Sequence, residues 1–311
     1  MRILYLGRND ERRCASTTWY LKNQLAQIES VEFLGPGYPG FPLLRRWDIS
    51  KTVSRVYGPD CFDVIVIDHY WDVSRKWKNL DKIEIPKAFI ISDPHHEQTG
   101  KIEYINKNEI DLSLFVVKHS IMRFKNKMNC SIRWLPWSVD IRVFRDYGFE
   151  RDYDVTFLGT VGRYYPLRKK ILNTLKKTPD IKFFTAQRPS GWNLDPKIHL
   201  FKENYSKVLA KSKIFIFGTS ILNYPLAKFF EGMACNTLVM APMPYDSQEL
   251  HFEPGLNFVE ISEENFLERI RYYLEHETER CEIARQGLNT VRKYHTVEIR
   301  AKQLVDYLKC C

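Results

Sequence analysis

LAKFFEGMACNTLVMAP, residues 226–242, reads as a buried helix delivering the chain into a buried strand. Leu226, Phe229, Phe230 and Met233 recur at i, i+3, i+4 and i+7 and form one apolar helical face. The run TLVMAP, 237–242, then has no polar alternation, as a strand covered on both faces requires. One acid, Glu231, interrupts this segment, and it lies off the apolar face. Its neighbours at helical contact spacing are Ala227, Lys228, Ala234 and Cys235, mostly small, so a ligand or another backbone can approach closely. Two readings follow. Glu231 either pairs with Lys228 one turn away, worth about 0.3 kcal/mol, or holds a ligand.

The same alternation extends in both directions. Apolar runs bounded by polar or turn residues occur at 3–7, 31–35, 62–68, 88–92 and 114–117, and again at 154–160, 181–186, 214–220, 237–242 and 258–261. Segments with helical spacing separate them, at 16–28, 166–177, 204–212 and 264–274. Strands alternating with helices imply βαβ units and parallel sheets, so the fold class is α/β with two doubly wound, Rossmann-like domains. The polar, aromatic and non-periodic stretch VDIRVFRDYGFERDYD, 139–154, marks the boundary between them. The expected organisation is 1–145 for the first domain, 146–295 for the second, and 296–311 for a terminal helix packing back on the first. A length of 311 residues suits two such halves.

A hydrophobic fraction of 44% and a charged fraction of 27% exclude a disordered chain. No apolar run reaches membrane-span length, and MRILYLG lacks the features of a signal peptide, which together suggest a cytoplasmic protein. The seven cysteines are scattered without a CxxC pair, pointing to reduced thiols, and no HExxH or His/Cys cluster suggests a protein-held metal. The net charge of +9 favours an anionic partner, but the cations are spread along the chain and no nucleic-acid-binding signature accompanies them, so no specific nucleic acid is expected. The loop GPGYPGFPLLRRW, 35–47, mixes apolar and basic side chains in a way that permits contact with lipid headgroups at the inner face of a membrane; core packing is the competing account.

The order and spacing of several segments carry a resemblance. WLPWSVDIRVF (134–144), DVTFLGTVGRYYPLRKKIL (154–172), YPLAKFFEGMACNTLVMAP (224–242), ELHFEPGLNFVEI (249–261) and the helical stretch 267–296 are similar to family 4-like glycosyltransferases of GT-B architecture, closest to the CgeB-like spore-maturation branch. The resemblance implies two Rossmann-like domains facing a cleft, domain closure, and sugar transfer from a nucleoside-diphosphate sugar (UDP- or GDP-linked) with retention and without metal or other cofactor. The acceptor, saccharide, lipid-linked or protein, is not specified. A nucleotide-sugar epimerase or a catalytically silent nucleotide-sugar-binding protein of the same fold is the alternative.

In the family the acid of this helix accepts hydrogen bonds from both ribose hydroxyls, which assigns that task to Glu231. The helix beginning near Pro225 would turn its free N–H groups toward the diphosphate. A second glutamate usual eight residues earlier is replaced here by Asn223, beside Tyr224. In the loop after the first strand of the second domain, Gly159 and Thr160 stand with Arg163 and Arg168 as cationic candidates for the departing diphosphate, and Lys228 is a further one. Gly218, Thr219 and Ser220 follow a buried strand, at the carboxyl edge where ligands of open parallel sheets bind. They either contact the donor or simply build a turn. In the first domain DHYWD (68–72) and SDPHHE (92–97) also follow strands, and Asp93 and His95 are the candidates for orienting acceptor or donor sugar.

Overall fold

The computed structural model describes residues 1–13, 17–41, 47–58, 61–68, 76–187, 189, 194–195 and 199–311. Several sequence expectations fall outside these residues: most of the DHYWD loop, the Leu43, Leu44, Arg45 and Arg46 cluster, Cys14, and Ser16 at the start of the first helix. The chain forms two compact units, one of Met1–Glu11, Thr18–Pro136 and Glu298–Cys311, the other of Arg12–Thr17 and Trp137–Val297.

In the first unit six parallel strands run in the order β2-β1-β3-β4-β5-β6: β1 (Arg2–Leu6), β2 (Ser30–Leu34), β3 (Val64–Ile67), β4 (Lys87–Ile91), β5 (Leu112–Phe115) and β6 (Ser131–Trp134). Successive strand residues point to opposite faces, and both faces are covered. Leu4, Leu6, Ile65, Ile67, Phe89 and Ile91 enter one core, with Ile49 of the short α2 (Ile49–Thr52) and Ile105 of α3 (Gln98–Lys107). Ile3, Tyr5, Val64, Val66, Ala88 and Ile90 enter the other, closed by Leu21 and Leu25 of α1 (Thr17–Ile28) and by Ala301, Leu304, Val305 and Leu308 of α9 (Val297–Leu308). Leu304 is fully buried there. Leu304→Ala is expected to cost about 3 kcal/mol, read as a lower urea midpoint, because it removes the methyls that close this face.

The second unit has five parallel strands in the order β11-β10-β9-β7-β8: β7 (Tyr153–Leu158), β8 (Phe183–Ala186), β9 (Ser212–Ile216), β10 (Leu238–Ala241) and β11 (Val259–Glu260). Strand β8 lies on one side of β7 and β9 on the other, so the order reverses between β7 and β9. Helices α4 (Pro166–Leu175), α5 (Lys202–Ala210), α6 (Ala227–Ala234), α7 (Phe266–Glu275) and α8 (Glu277–Tyr294) connect and cover the strands. The two parallel, doubly wound sheets are the GT-B pattern of Rossmann-like domains.

The chain passes between units after Pro136, ahead of the 145/146 boundary drawn from composition. Hydrogen bonds explain the difference: Val139 N–H donates to the His295 carbonyl (2.9 Å) and Val297 N–H to that of Val139 (3.1 Å), which fastens this stretch to the second unit. Two further corrections concern elements. Strand β6, SIRW, escaped a search for unbroken apolar runs because it is the sheet edge and alternates exposed with half-buried residues. Helix α6 begins at Ala227, since Leu226 is extended (φ −101°, ψ 151°); Pro225 therefore precedes the helix and does not occupy its first position. Among the described residues no helix is long and apolar enough to cross a membrane.

Candidate functional site

In an open parallel sheet the carboxyl ends of the strands flanking an order reversal splay apart and leave a crevice. In the second unit that place holds a cavity of about 250 Å³. Gly159 and Thr160 reach it from the end of β7, Arg168 from α4, and Lys228 and Glu231 from α6. Tyr165, Phe201 and Tyr205 add aromatic walls.

Arg168 is 4% exposed, so its charge must be met by fixed partners. Its Nε donates to the Gly218 carbonyl (2.7 Å) and its Nη1 to that of Thr160 (3.0 Å), while the guanidinium lies 3.7 Å from the Tyr165 ring centre. One side chain thus joins the loops that follow β7 and β9. Lys228, half-buried, donates through Nζ to the Leu158 carbonyl. Gly159 is where these cations meet. A Cβ there would lie 3.4 Å from Arg168 Nη1 and 3.5 Å from Lys228 Nζ, so any larger residue would fill the space between two cationic nitrogens.

Glu231 is half-buried on the cavity side of α6. Its neighbour Gly232 turns the opposite way, so tightly that a Cβ would come within 2.7 Å of Val239 Cγ2 and 2.8 Å of Phe215 Cδ1. The helix is therefore seated on β9 and β10 through a glycine, which presents Glu231 and Lys228 to the cavity. One turn on, burial pushes the Cys235 thiol up to about 12, with the Glu231 charge adding to the shift and a hydrogen bond with Ser206 opposing it. At pH 8 Cys235 is accordingly a thiol, not a thiolate. Native-state alkylation should label exposed Cys281 and spare Cys235, as peptide mass mapping would show.

Five of the sequence candidates, Gly159, Thr160, Arg168, Lys228 and Glu231, thus share one cavity; the others do not line it. Arg163 is exposed and donates to the Tyr164 hydroxyl (2.6 Å). Gly218 packs behind Arg168 and gives it a carbonyl. Thr219 and Ser220 build a turn: the Thr219 hydroxyl donates to Asn223 Oδ1 (2.7 Å), and the Ser220 hydroxyl accepts from Leu222 N–H (3.2 Å). Asn223 closes it with φ +50°, a conformation asparagine tolerates better than most residues, and its Nδ2 donates to the Met243 carbonyl. A glutamate has no donor for that carbonyl, which gives Asn223 a local structural reason for replacing the acid. Tyr224 is buried.

Asp93 and His95 belong to the first unit, in the turn after β4. Lys101 Nζ pins that turn through the Asp93 carbonyl (2.9 Å). Partial desolvation holds the His95 pKa below the usual imidazole value, and the Asp93 charge works against it. Sequence reasoning missed the aromatic walls altogether. Phe201 and Tyr205 lie at the start of α5, where no period marks them as cavity residues.

Residues 168–306 match a family described as glycosyl transferase-like. Among solved structures, Anabaena HepE in complex with UDP and glucose superposes with a TM-score of 0.70 at 15% identity, covering 100% of both chains. Sucrose-phosphate synthase from Thermosynechococcus elongatus gives 0.68 at 10% identity over 99% of this chain and 98% of that one. A glycosyltransferase from Rickettsia africae gives 0.69 at 10% identity over 99% and 97%. No curated protein matches the chain. The likeness to these structures shows the fold, the GT-B pattern of two Rossmann-like units, and residues 168–306 within it carry the glycosyl transferase-like domain.

Proposed function

We propose that the second unit binds a nucleoside-diphosphate sugar and that the chain transfers its sugar to an acceptor, with retention and without a metal. The observation that carries this reading is the convergence of one carboxylate, Glu231, and two cations, Arg168 and Lys228, on a single cavity at the strand ends. The Glu231 carboxylate has two acceptor oxygens for the vicinal ribose hydroxyls. Lys228 and the Gly159–Thr160 backbone take the diphosphate. Arg168 holds the two loops in register and lends its charge to the departing phosphate, where a fixed cation lowers the barrier because it need not reorganise.

A uridine nucleotide is the preferred donor, in line with the UDP bound by HepE at 15% identity; a GDP-sugar is the alternative. Asp93 and His95 are assigned to the acceptor side, in a chain of the CgeB-like branch working in the cytoplasm, where the six described cysteines, all free, would stay reduced.

Thermal shift with UDP, UDP-glucose and GDP tests the donor, because a ligand that binds only the native form raises its melting temperature. UDP at about a hundredfold excess over its Kd should add about 2.7 kcal/mol of stability. No response to any nucleoside diphosphate overturns the reading. The Asn223 substitution favours one rival, a nucleotide-sugar-binding protein without transfer. Donor binding with neither transfer nor hydrolysis across a panel of acceptors would select it.

A further inference from the structure

The 25 residues between Asp154 and Asp180 contain six cations and no acid. Arg168 alone among them is spent inside the fold. Helix α4 buries Ile171 and Leu175 against the sheet and turns Lys169 and Asn173 outward, followed by Lys176 and Lys177 just beyond its end, all exposed. Lys169, Lys170, Asn173, Thr174 and Lys177 line one shallow groove that starts at Pro166. Lys170 is paired there with Glu263 (2.7 Å), which leaves Lys169, Lys176 and Lys177 as the cations that set the charge of this face. The groove begins beside Tyr165, a wall of the donor cavity.

We propose that the outer face of α4 is a binding track for an acidic polysaccharide, so that the acceptor of the transferase is an anionic glycan whose end reaches the donor cavity. This rests on the donor-binding reading above. Three observations favour a hydrated anionic glycan over other polyanions. The lysines supply charge complementarity, and Asn173 and Thr174 supply neutral hydrogen-bonding groups suited to sugar hydroxyls. Among the described residues none of the large exposed apolar side chains lies on α4, so the helix has nothing to insert into a bilayer. It also bears no aromatic ring on which a nucleobase could stack.

Fluorescence anisotropy of labelled oligogalacturonate with the full chain tests the track, with dextran oligosaccharide of the same length as the neutral control. Oligogalacturonate should bind, weaken as salt rises, and be preferred over dextran. The double variant Lys169→Glu, Lys177→Glu should bind it about tenfold more weakly or worse. The same variant should keep the wild-type thermal shift with UDP, since neither lysine lines the cavity. Glu231→Gln should behave in the opposite way, losing at least about half of the UDP response and keeping the glycan. Equal binding of dextran and oligogalacturonate, or undiminished binding by the lysine variant, overturns the proposal. So does lysine-dependent binding of phosphatidylglycerol vesicles without oligogalacturonate binding, which would make the face a membrane contact.

Discussion

Glu231→Gln is expected to leave the melting temperature of the free chain nearly unchanged and to remove at least about half of the stabilisation by UDP. The substitution is isosteric, and the side chain sits half-buried at a cavity wall, so the core is untouched. What changes is chemistry. A carboxylate accepts from both hydroxyls of a vicinal diol, whereas the amide offers one acceptor and sets an N–H against the other hydroxyl. Losing a charge-assisted hydrogen bond of this kind costs about 1.5–3 kcal/mol, which is roughly 10–150-fold in Kd. UDP that stabilised the wild type by about 2.7 kcal/mol would then add only about 0.3–1.4 kcal/mol to the variant. A wild-type shift in Glu231→Gln would place the diol elsewhere and remove the basis for reading α6 as the donor helix.

The fold was open to sequence reading because both faces of each sheet are covered. Strands such as β3, VIVI, and β10, LVMA, need apolar residues at every position, which makes them visible as unbroken runs. The exposed edge strand β6 carries no such requirement and was missed. At the site, Glu231 stood out as an acid among small neighbours, a signal that survives without coordinates. The loop 218–223 allowed two readings, donor contact or a turn, and it builds the turn for a physical reason. Hydroxyls and amides suited to phosphate are also the groups that build tight turns, and here they bond to one another. The role of Arg168 as a tie between two loops was equally hidden, because its partners are the carbonyls of Thr160 and Gly218, the latter 50 residues away, and carbonyls leave no mark in a sequence. The aromatic walls share that difficulty: Phe144, which also lines the cavity, and Tyr205 meet at 6.1 Å between ring centres from distant parts of the chain.

Gly232→Leu should lower the stability of the second unit and its donor binding together. Glycine in mid-helix costs about 1 kcal/mol relative to alanine, so its presence in α6 needs a compensating reason. The packing supplies it: even a Cβ would meet Val239 Cγ2 at 2.7 Å and Phe215 Cδ1 at 2.8 Å. Phe215 and Val239 are themselves fully or almost fully buried, each hemmed in by strand neighbours, so neither can yield without moving β9 or β10. A leucine must therefore lift the helix, at a cost of about 3 kcal/mol by the usual scale of overpacking. Because Glu231 and Lys228 ride on the same short helix, lifting it displaces the carboxylate and a cation in one motion. The urea midpoint should fall, and at temperatures where the variant is still folded its UDP affinity should fall as well. A variant that folds with wild-type stability, or one that is destabilised yet binds UDP as tightly as the wild type, would show that the seat of α6 does not set the geometry of the cavity.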